Sequence, residues 1–129
     1  MYKELIISII IIVGIFTFDY ALQQYTKTSI DKTTDELSMI KQDLEQNNVN
    51  HKEVLNKVNA THDRWTEYND KLVYFIEHNE LEKVETCLMV YKSYVETNQY
   101  DFAIAEIEKT SFILDHIKDK YSFNLENIF

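Results

Sequence analysis

Hydrophobic and polar positions divide this chain into two unequal parts. Residues Leu5–Phe18 form an apolar run, LIISIIIIVGIFTF, with no charged side chain between Glu4 and Asp19. After it the chain is polar and acidic, and apolar residues recur every three or four positions, which is the period of an amphipathic helix. The pattern predicts an apolar helix followed by a helical domain.

The apolar run becomes long enough to cross a bilayer only when its flanks are included. Its own 14 residues cover about 21 Å of a hydrocarbon layer about 30 Å thick. A helix over residues 1–22 is about 33 Å long, with Tyr2 and Tyr20 in the interfacial positions that tyrosine favours. We therefore predict a transmembrane anchor over residues 1–22 and an acidic helical domain over residues 23–129.

Two other interpretations of the run stay open, a cleaved signal peptide and a buried core helix. Cleavage needs small residues after the apolar run, whereas residues 18–23 read FDYALQ and are mostly bulky. An uncleaved anchor in the cell membrane is therefore favoured. Lys3 and the α-amino group favour a cytoplasmic N-terminus and an extracytoplasmic domain, while Lys27 and Lys32 argue weakly for the reverse.

The domain shows heptad-like apolar stripes and no sustained strand alternation, and the chain has no proline and one glycine, Gly14. Breaks are predicted at residues 47–50, 78–79 and 97–99, with Asn50 capping the second helix and Glu53 at the capping-box position. The pattern predicts an all-α fold, in which a long N-terminal anchor helix continues to about Gln46 in a small antiparallel bundle of about four helices. The stripes comprise Ile30, Thr33, Leu37, Ile40 and Leu44, then Val54, Val58, Thr61, Trp65, Tyr68, Leu72 and Phe75, then Leu81, Val84, Leu88, Tyr91 and Val95, and finally Ala103, Ile107, Thr110, Leu114 and Ile117.

Charge argues against nucleic acid as a partner. The chain has 13 Lys/Arg and 22 Asp/Glu, and only Lys3, Glu4 and Asp19 precede Tyr20, which leaves 12 and 20 in the remainder. Phosphate binding needs clustered cations. The lone Cys87 cannot form an internal disulfide, and we expect it to pack as a small apolar residue.

Candidate chemistry is sparse. Glu77-His78 and Asp115-His116 are acid-histidine pairs, and a Zn²⁺ site built from His78 and His116 with carboxylates is the chemistry they could form. Adjacent helical side chains point about 100° apart, so neither pair readily binds one ion through both residues. Both pairs are predicted to lie near helix C-termini, where the helix dipole favours a charged histidine. His51 and His62 have no partner at ligand spacing. No phosphate-binding glycine loop or nucleophile motif is present, so no catalytic, cofactor or metal residue and no enzyme activity are predicted.

Aromatic residues are the better guide to interactions. Trp65 and Tyr68 lie on an apolar stripe and are expected in the core, whereas Tyr74, Tyr94 and Tyr100 lie off the stripes and are expected to be exposed. The C-terminal segment, residues 121–129, alternates apolar and polar residues. Packing along the bundle is favoured for it, with presentation to a partner left open.

Several motifs together resemble a known family. FIEH (residues 75–78) ends the helix that carries Trp65, LDHI (residues 114–117) follows, and LENIF (residues 125–129) ends the chain. With the N-terminal anchor, these elements are similar to the uncharacterised domain-of-unknown-function family 4363 of spore-forming Gram-positive bacteria. Lys118 departs from the proline that similar proteins carry. The resemblance implies a membrane-anchored helical protein with a membrane partner and a link to sporulation, and it implies no activity.

Together these features predict a single-pass membrane protein that serves as an interaction module, scaffold or accessory subunit in the cell envelope. Its expected partners are the membrane and another membrane or envelope protein, and self-association stays open. The alternative is an extracellular bundle that senses a ligand or metal ion and acts through a membrane partner.

Overall fold

The computed structural model describes residues 1–122, which form four helices and contain no strand. They are α1 (Tyr2–Leu44), α2 (His51–Leu72), α3 (His78–Glu96) and α4 (Tyr100–Tyr121). The all-α prediction and the long N-terminal helix are confirmed. The expectation that the C-terminal segment packs along the bundle, and the alternative that it contacts a partner, concern residues 123–129, which lie outside the described residues.

The helices form a closed ring, in which α1 packs against α2 and α4, and α3 packs against the same two helices. Short connections make successive helices antiparallel. Two ion pairs show the register: Lys118 Nζ lies 3.0 Å from Asp31 Oδ1, and Lys41 Nζ lies 2.8 Å from Glu108 Oε1. Ten residues forward along α1 (31 to 41) thus correspond to ten residues back along α4 (118 to 108).

The predicted stripes meet inside this ring. Trp65 and Tyr91 are the largest side chains that are fully buried, and every stripe residue is buried except Tyr68 and Phe75, which are partly buried. Cys87 is also buried with a free thiol, as expected. Burying one large apolar side chain stabilises the folded state by about 1.5–3 kcal/mol, so these stripes are the main source of the bundle's stability.

Two of the three breaks follow from local capping. Asn50 Oδ1 accepts a hydrogen bond from the backbone N–H of Glu53 at 3.2 Å and so caps α2. At the end of α3, Asn98 adopts a left-handed conformation with φ 59°, which asparagine tolerates well. The N–H groups of Asn98 and Gln99 then donate to the carbonyls of Val95 and Tyr94, in a Schellman motif.

The middle break differs from the prediction. The sequence indicated a stop at residues 78–79, but α2 ends at Leu72 and α3 already begins at His78. Residues 73–76 form a turn in which the N–H groups of Phe75 and Ile76 both donate to the carbonyl of Leu72. Ile76 is buried there, so the turn closes this end of the core.

Candidate functional site

The N-terminal half of α1 is a bare apolar helix. All residues from 1 to 21 are exposed, and the first fully buried position is Thr26. Among residues 1–122, α1 is the helix that is long and apolar enough to cross a membrane, and none of its apolar window is buried. The same helix, 43 residues and about 65 Å long, then supplies one wall of the bundle.

The polar side chains within this apolar half are satisfied locally. The hydroxyls of Ser8 and Thr17 each donate to the backbone carbonyl four residues earlier, at 2.8 Å. Such bonds suit a helix in hydrocarbon, where a donor without a partner is costly. Asp19, at the end of the run, accepts a hydrogen bond from Gln23 Nε2 at 3.0 Å.

The bundle starts directly after the apolar half. The rings of Tyr25 and Tyr68 meet edge to face with centroids 6.4 Å apart, and Lys71 Nζ lies 5.4 Å from the centroid of the Tyr25 ring. The last turn of α2 therefore lies beside the part of α1 where burial begins. No loop or hinge separates the apolar half from the bundle, because α1 is continuous through both.

A surface groove of about 330 Å³ runs between α1 and α2. Apolar atoms dominate its lining, which includes Met39, Ile40 and Ala60. Met39 is 58% exposed although it is a large apolar side chain. The short side chain of Ala60 leaves the space between the two helices open.

Ion pairs between α1 and α2 border this groove. Arg64 pairs with Glu36, and Lys57 Nζ lies 2.7 Å from Asp43 Oδ2. The hydrogen bond to Glu36 raises the pKa of Arg64, and that to Asp43 raises the pKa of Lys57, so both cations keep their charge at neutral pH. The groove thus has an apolar floor and a charged, largely neutralised rim, which suits the apolar face of a partner.

The acid-histidine pairs are not brought together as a metal site. His78 lies at the N-terminus of α3, not at a helix C-terminus as predicted, because α2 ends earlier than its stripe suggested. Its Nε2 lies 3.1 Å from Glu82 Oε1, while His116 is exposed on α4. Within residues 1–122, no three His, Cys, Asp or Glu side chains are grouped closely enough to hold a metal ion.

The other two histidines link helices. His62 Nε2 lies 2.7 Å from Glu85 Oε1 on α3, and His51 Nδ1 lies 2.9 Å from the hydroxyl of Tyr100 at the start of α4. Spacing along the chain does not reveal these partners, because each lies on a different helix. Both contacts connect two helices at the bundle surface.

The tyrosines expected at the surface divide into two groups. Tyr74 is 86% exposed, as predicted. Tyr94 and Tyr100 are only partly exposed, so the prediction was wrong for them: Tyr94 packs on the ring of Phe102 at 5.4 Å between centroids, and Tyr100 contacts His51. The exposure of Met39 was not predicted. The signal for it in the sequence is that Met39 is a large apolar residue that lies off the core stripe.

Comparison with known proteins decides the family. The profile of a domain of unknown function, DUF4363, matches residues 20–128. The chain belongs to the DUF4363 family. No curated protein and no solved structure matches it.

The DUF4363 match extends from the second half of α1 through the whole bundle, so the groove and both acid-histidine pairs lie within it. The apolar run lies before the matched residues. The match carries neither an activity nor a source, so the link to spore-forming bacteria and to sporulation stays a prediction.

Proposed function

We propose that this DUF4363 protein is a single-pass membrane protein of the cell envelope, whose bundle is an interaction module or accessory subunit and not an enzyme. The observation that carries the proposal is the continuity of α1. One unbroken helix has an unburied apolar half and a half that completes a packed core. Such a helix holds the bundle rigidly at the membrane surface.

The same continuity favours a retained anchor over a cleaved signal peptide. Residues 18–23 are helical and contain bulky side chains, whereas signal cleavage requires small residues beyond the apolar run. Burial inside this bundle is disfavoured as well, because every residue from 1 to 21 is exposed. We place the N-terminus in the cytoplasm and the bundle outside, from the positive charges at Lys3 and the α-amino group.

The groove between α1 and α2 is the surface that best fits a protein partner. Exposed apolar side chains framed by polar ones are characteristic of interaction sites. The partner is proposed to be another membrane or envelope protein, since anchoring confines the bundle to that surface. If the partner is a second copy of this chain, the same groove would mediate self-association.

Site-specific photocrosslinking in native membranes tests the interaction. A photoreactive amino acid at position 39 lies in the groove, and one at position 89 on α3 is the matched control, since Met39 and Met89 are 58% and 60% exposed. We expect a discrete adduct from position 39 and none from position 89. Free monomer from both positions, or the same adducts from both, would contradict a groove-specific partner.

A second candidate function is the sensing of a small apolar ligand, which the groove volume supports. Ligand pockets commonly measure about 300–1,000 Å³ and are lined mainly by apolar groups. Ala60→Phe would fill the groove, and Met89→Ala is the control. A cell-envelope extract that stabilises the unsubstituted protein thermally, but not the Ala60→Phe variant, would favour sensing. No shift with the unsubstituted protein would argue against it.

A further inference from the structure

We propose that the turn between α2 and α3 is a second membrane contact, in which Val73 and Tyr74 enter the interfacial layer of the bilayer that α1 crosses. This inference rests on the proposed function, because it requires α1 to be a membrane anchor. It adds a surface of the bundle that would fix its orientation on the membrane. The contact is with lipid, not with a protein.

The structure places this turn at the end of the bundle nearest the apolar half of α1. Tyr68 and Lys71, in the last turn of α2, contact the ring of Tyr25. The turn follows directly. On its other side, the backbone N–H of Glu77 donates to the hydroxyl of Tyr121, at the end of α4.

The distance along α1 puts this end at headgroup depth. Tyr25 is three residues beyond Leu22, where the predicted span ends, which is about 4.5 Å along the helix. The polar layer on each side of the hydrocarbon is about 5–8 Å thick. Side chains that project from the turn toward the membrane therefore reach the interface without any change in the fold.

The exposed side chains of the turn suit that layer. Tyr74 is 86% exposed and Val73 is 42% exposed, and tyrosine is enriched at membrane interfaces because its ring is apolar and its hydroxyl polar. The backbone N–H groups of residues 73–76 all donate within the turn, to Asn69, Lys71 and Leu72. Partial dehydration there leaves no N–H of these residues without a partner.

The opposite end of the bundle has the contrasting composition. Its connections are residues 45–50 (EQNNVN) and residues 97–99 (TNQ), and the contact between His51 and Tyr100 shows that the two lie at the same end. Amide side chains dominate there, and neither connection contains an aromatic residue. Among the described connections, the one with an exposed aromatic residue lies at the end from which the apolar half of α1 emerges; at the opposite end, the exposed Phe102 lies in the first turn of α4 and packs on Tyr94.

Charges at the proposed contact do not favour anionic lipid. Lys27, Lys71 and Lys120 lie at this end together with Asp70, Glu77 and Asp119, so the described residues here have no excess of cations. Electrostatic lipid binding needs several Lys or Arg near the surface. The contact we propose is interfacial and should form equally on zwitterionic and anionic bilayers.

Spin-label depth measurements on the full chain in lipid nanodiscs test this contact. In a Cys87→Ala background, single labels are introduced by Tyr74→Cys, by Asn48→Cys at the opposite end and by Phe16→Cys in the apolar half. Accessibility to oxygen, which enriches in hydrocarbon, is compared with accessibility to a water-soluble nickel chelate. Nanodiscs of phosphatidylcholine alone and with added phosphatidylglycerol separate interfacial from electrostatic binding.

We expect nickel accessibility at position 74 to be several-fold lower than at position 48 in both lipids, with position 16 in the hydrocarbon. If position 16 is in the hydrocarbon but positions 74 and 48 are equally accessible, the contact is overturned while the anchor stands. If position 74 is shielded only on anionic lipid, the interfacial chemistry is wrong. If position 16 is as accessible to nickel as position 48, the anchor and the contact both fail.

Discussion

The ring of Tyr25 meets the ring of Tyr68 edge to face, with 6.4 Å between their centroids, at the point where α1 passes from its exposed apolar half into the bundle. Lys71 Nζ lies 5.4 Å from the centroid of the same Tyr25 ring. This cluster joins α1 to α2 three residues beyond the predicted span. It holds α2 against α1 at the end of the bundle nearest the apolar half of α1.

A double-mutant cycle should detect this aromatic pair. Aromatic pairs of this geometry contribute about 0.5–1.5 kcal/mol beyond their burial, so Tyr25→Ala and Tyr68→Ala should be non-additive by that amount. The measurement is urea unfolding of the full chain in detergent, followed by Trp65 fluorescence. Phe112→Ala, at a residue 74% exposed, is the control and should change stability little. Strict additivity of the tyrosine substitutions would show that the rings do not interact.

Removing the hydroxyl of Tyr91 should stabilise the protein. Tyr91 is fully buried, and its hydroxyl has no hydrogen-bond partner within residues 1–122. A buried polar group without a partner costs about 1–3 kcal/mol, so Tyr91→Phe should keep or raise the free energy of unfolding. Tyr74→Phe, at an exposed site, should be neutral. A loss of stability in Tyr91→Phe would mean that the hydroxyl is satisfied by buried water.

The same residue predicts a dependence on high pH. Burial, with a smaller contribution from the charge of Glu36, raises the pKa of Tyr91 above its ordinary value of 10.0. Below pH 10 the phenol is neutral in both the folded and the unfolded state, so it makes no contribution to the pH dependence of stability. Above pH 10 the phenol of the unfolded chain ionises first, so stability falls as pH rises. The free energy of unfolding should lose about 1.4 kcal/mol per pH unit in this range relative to Tyr91→Phe. Parallel pH profiles for the two proteins would refute the burial of this phenol.

The two halves of α1 should respond differently to the same kind of truncation. Leu37 is fully buried in the bundle, and Leu37→Ala should lower the free energy of unfolding by about 2–5 kcal/mol. Ile10 lies in the apolar half and is 64% exposed, so Ile10→Ala should leave bundle stability unchanged. Urea unfolding in detergent compares them. An equal loss in Ile10→Ala would show that the apolar half packs in the core.

The core of the fold was predictable because its signal is local. The stripe from Ile30 to Leu44 and its counterparts follow the helical period. Asn50 begins α2 as its N-cap, and Asn98 ends α3 in a left-handed conformation; asparagine favours both positions. Apart from Tyr68 and Phe75, which are partly buried, the residues of the stripes are buried. Helix count and core composition follow from these features alone.

What could not be predicted depends on contacts between distant residues. Phe75 and Ile76 continue the apolar spacing of α2, so the pattern shows no break where the turn occurs, and its position is fixed in part by the hydrogen bond between Glu77 and Tyr121. The ion pair of Asp31 with Lys118 joins residues 87 positions apart. Ala60, a small residue, lines the groove where α1 and α2 face each other. Predicting the groove would require knowing the register of α1 against α2, which the sequence pattern of each helix does not give.

The most direct test of the central claim, that α1 is a retained membrane anchor continuous with the bundle, is the intact mass of the protein recovered from alkaline-carbonate-washed membranes. We predict that the protein stays in the membrane pellet and that its intact mass includes the apolar helix, residues 1–22. Recovery in the soluble fraction, or a mass that lacks the residues up to about position 22, would contradict it.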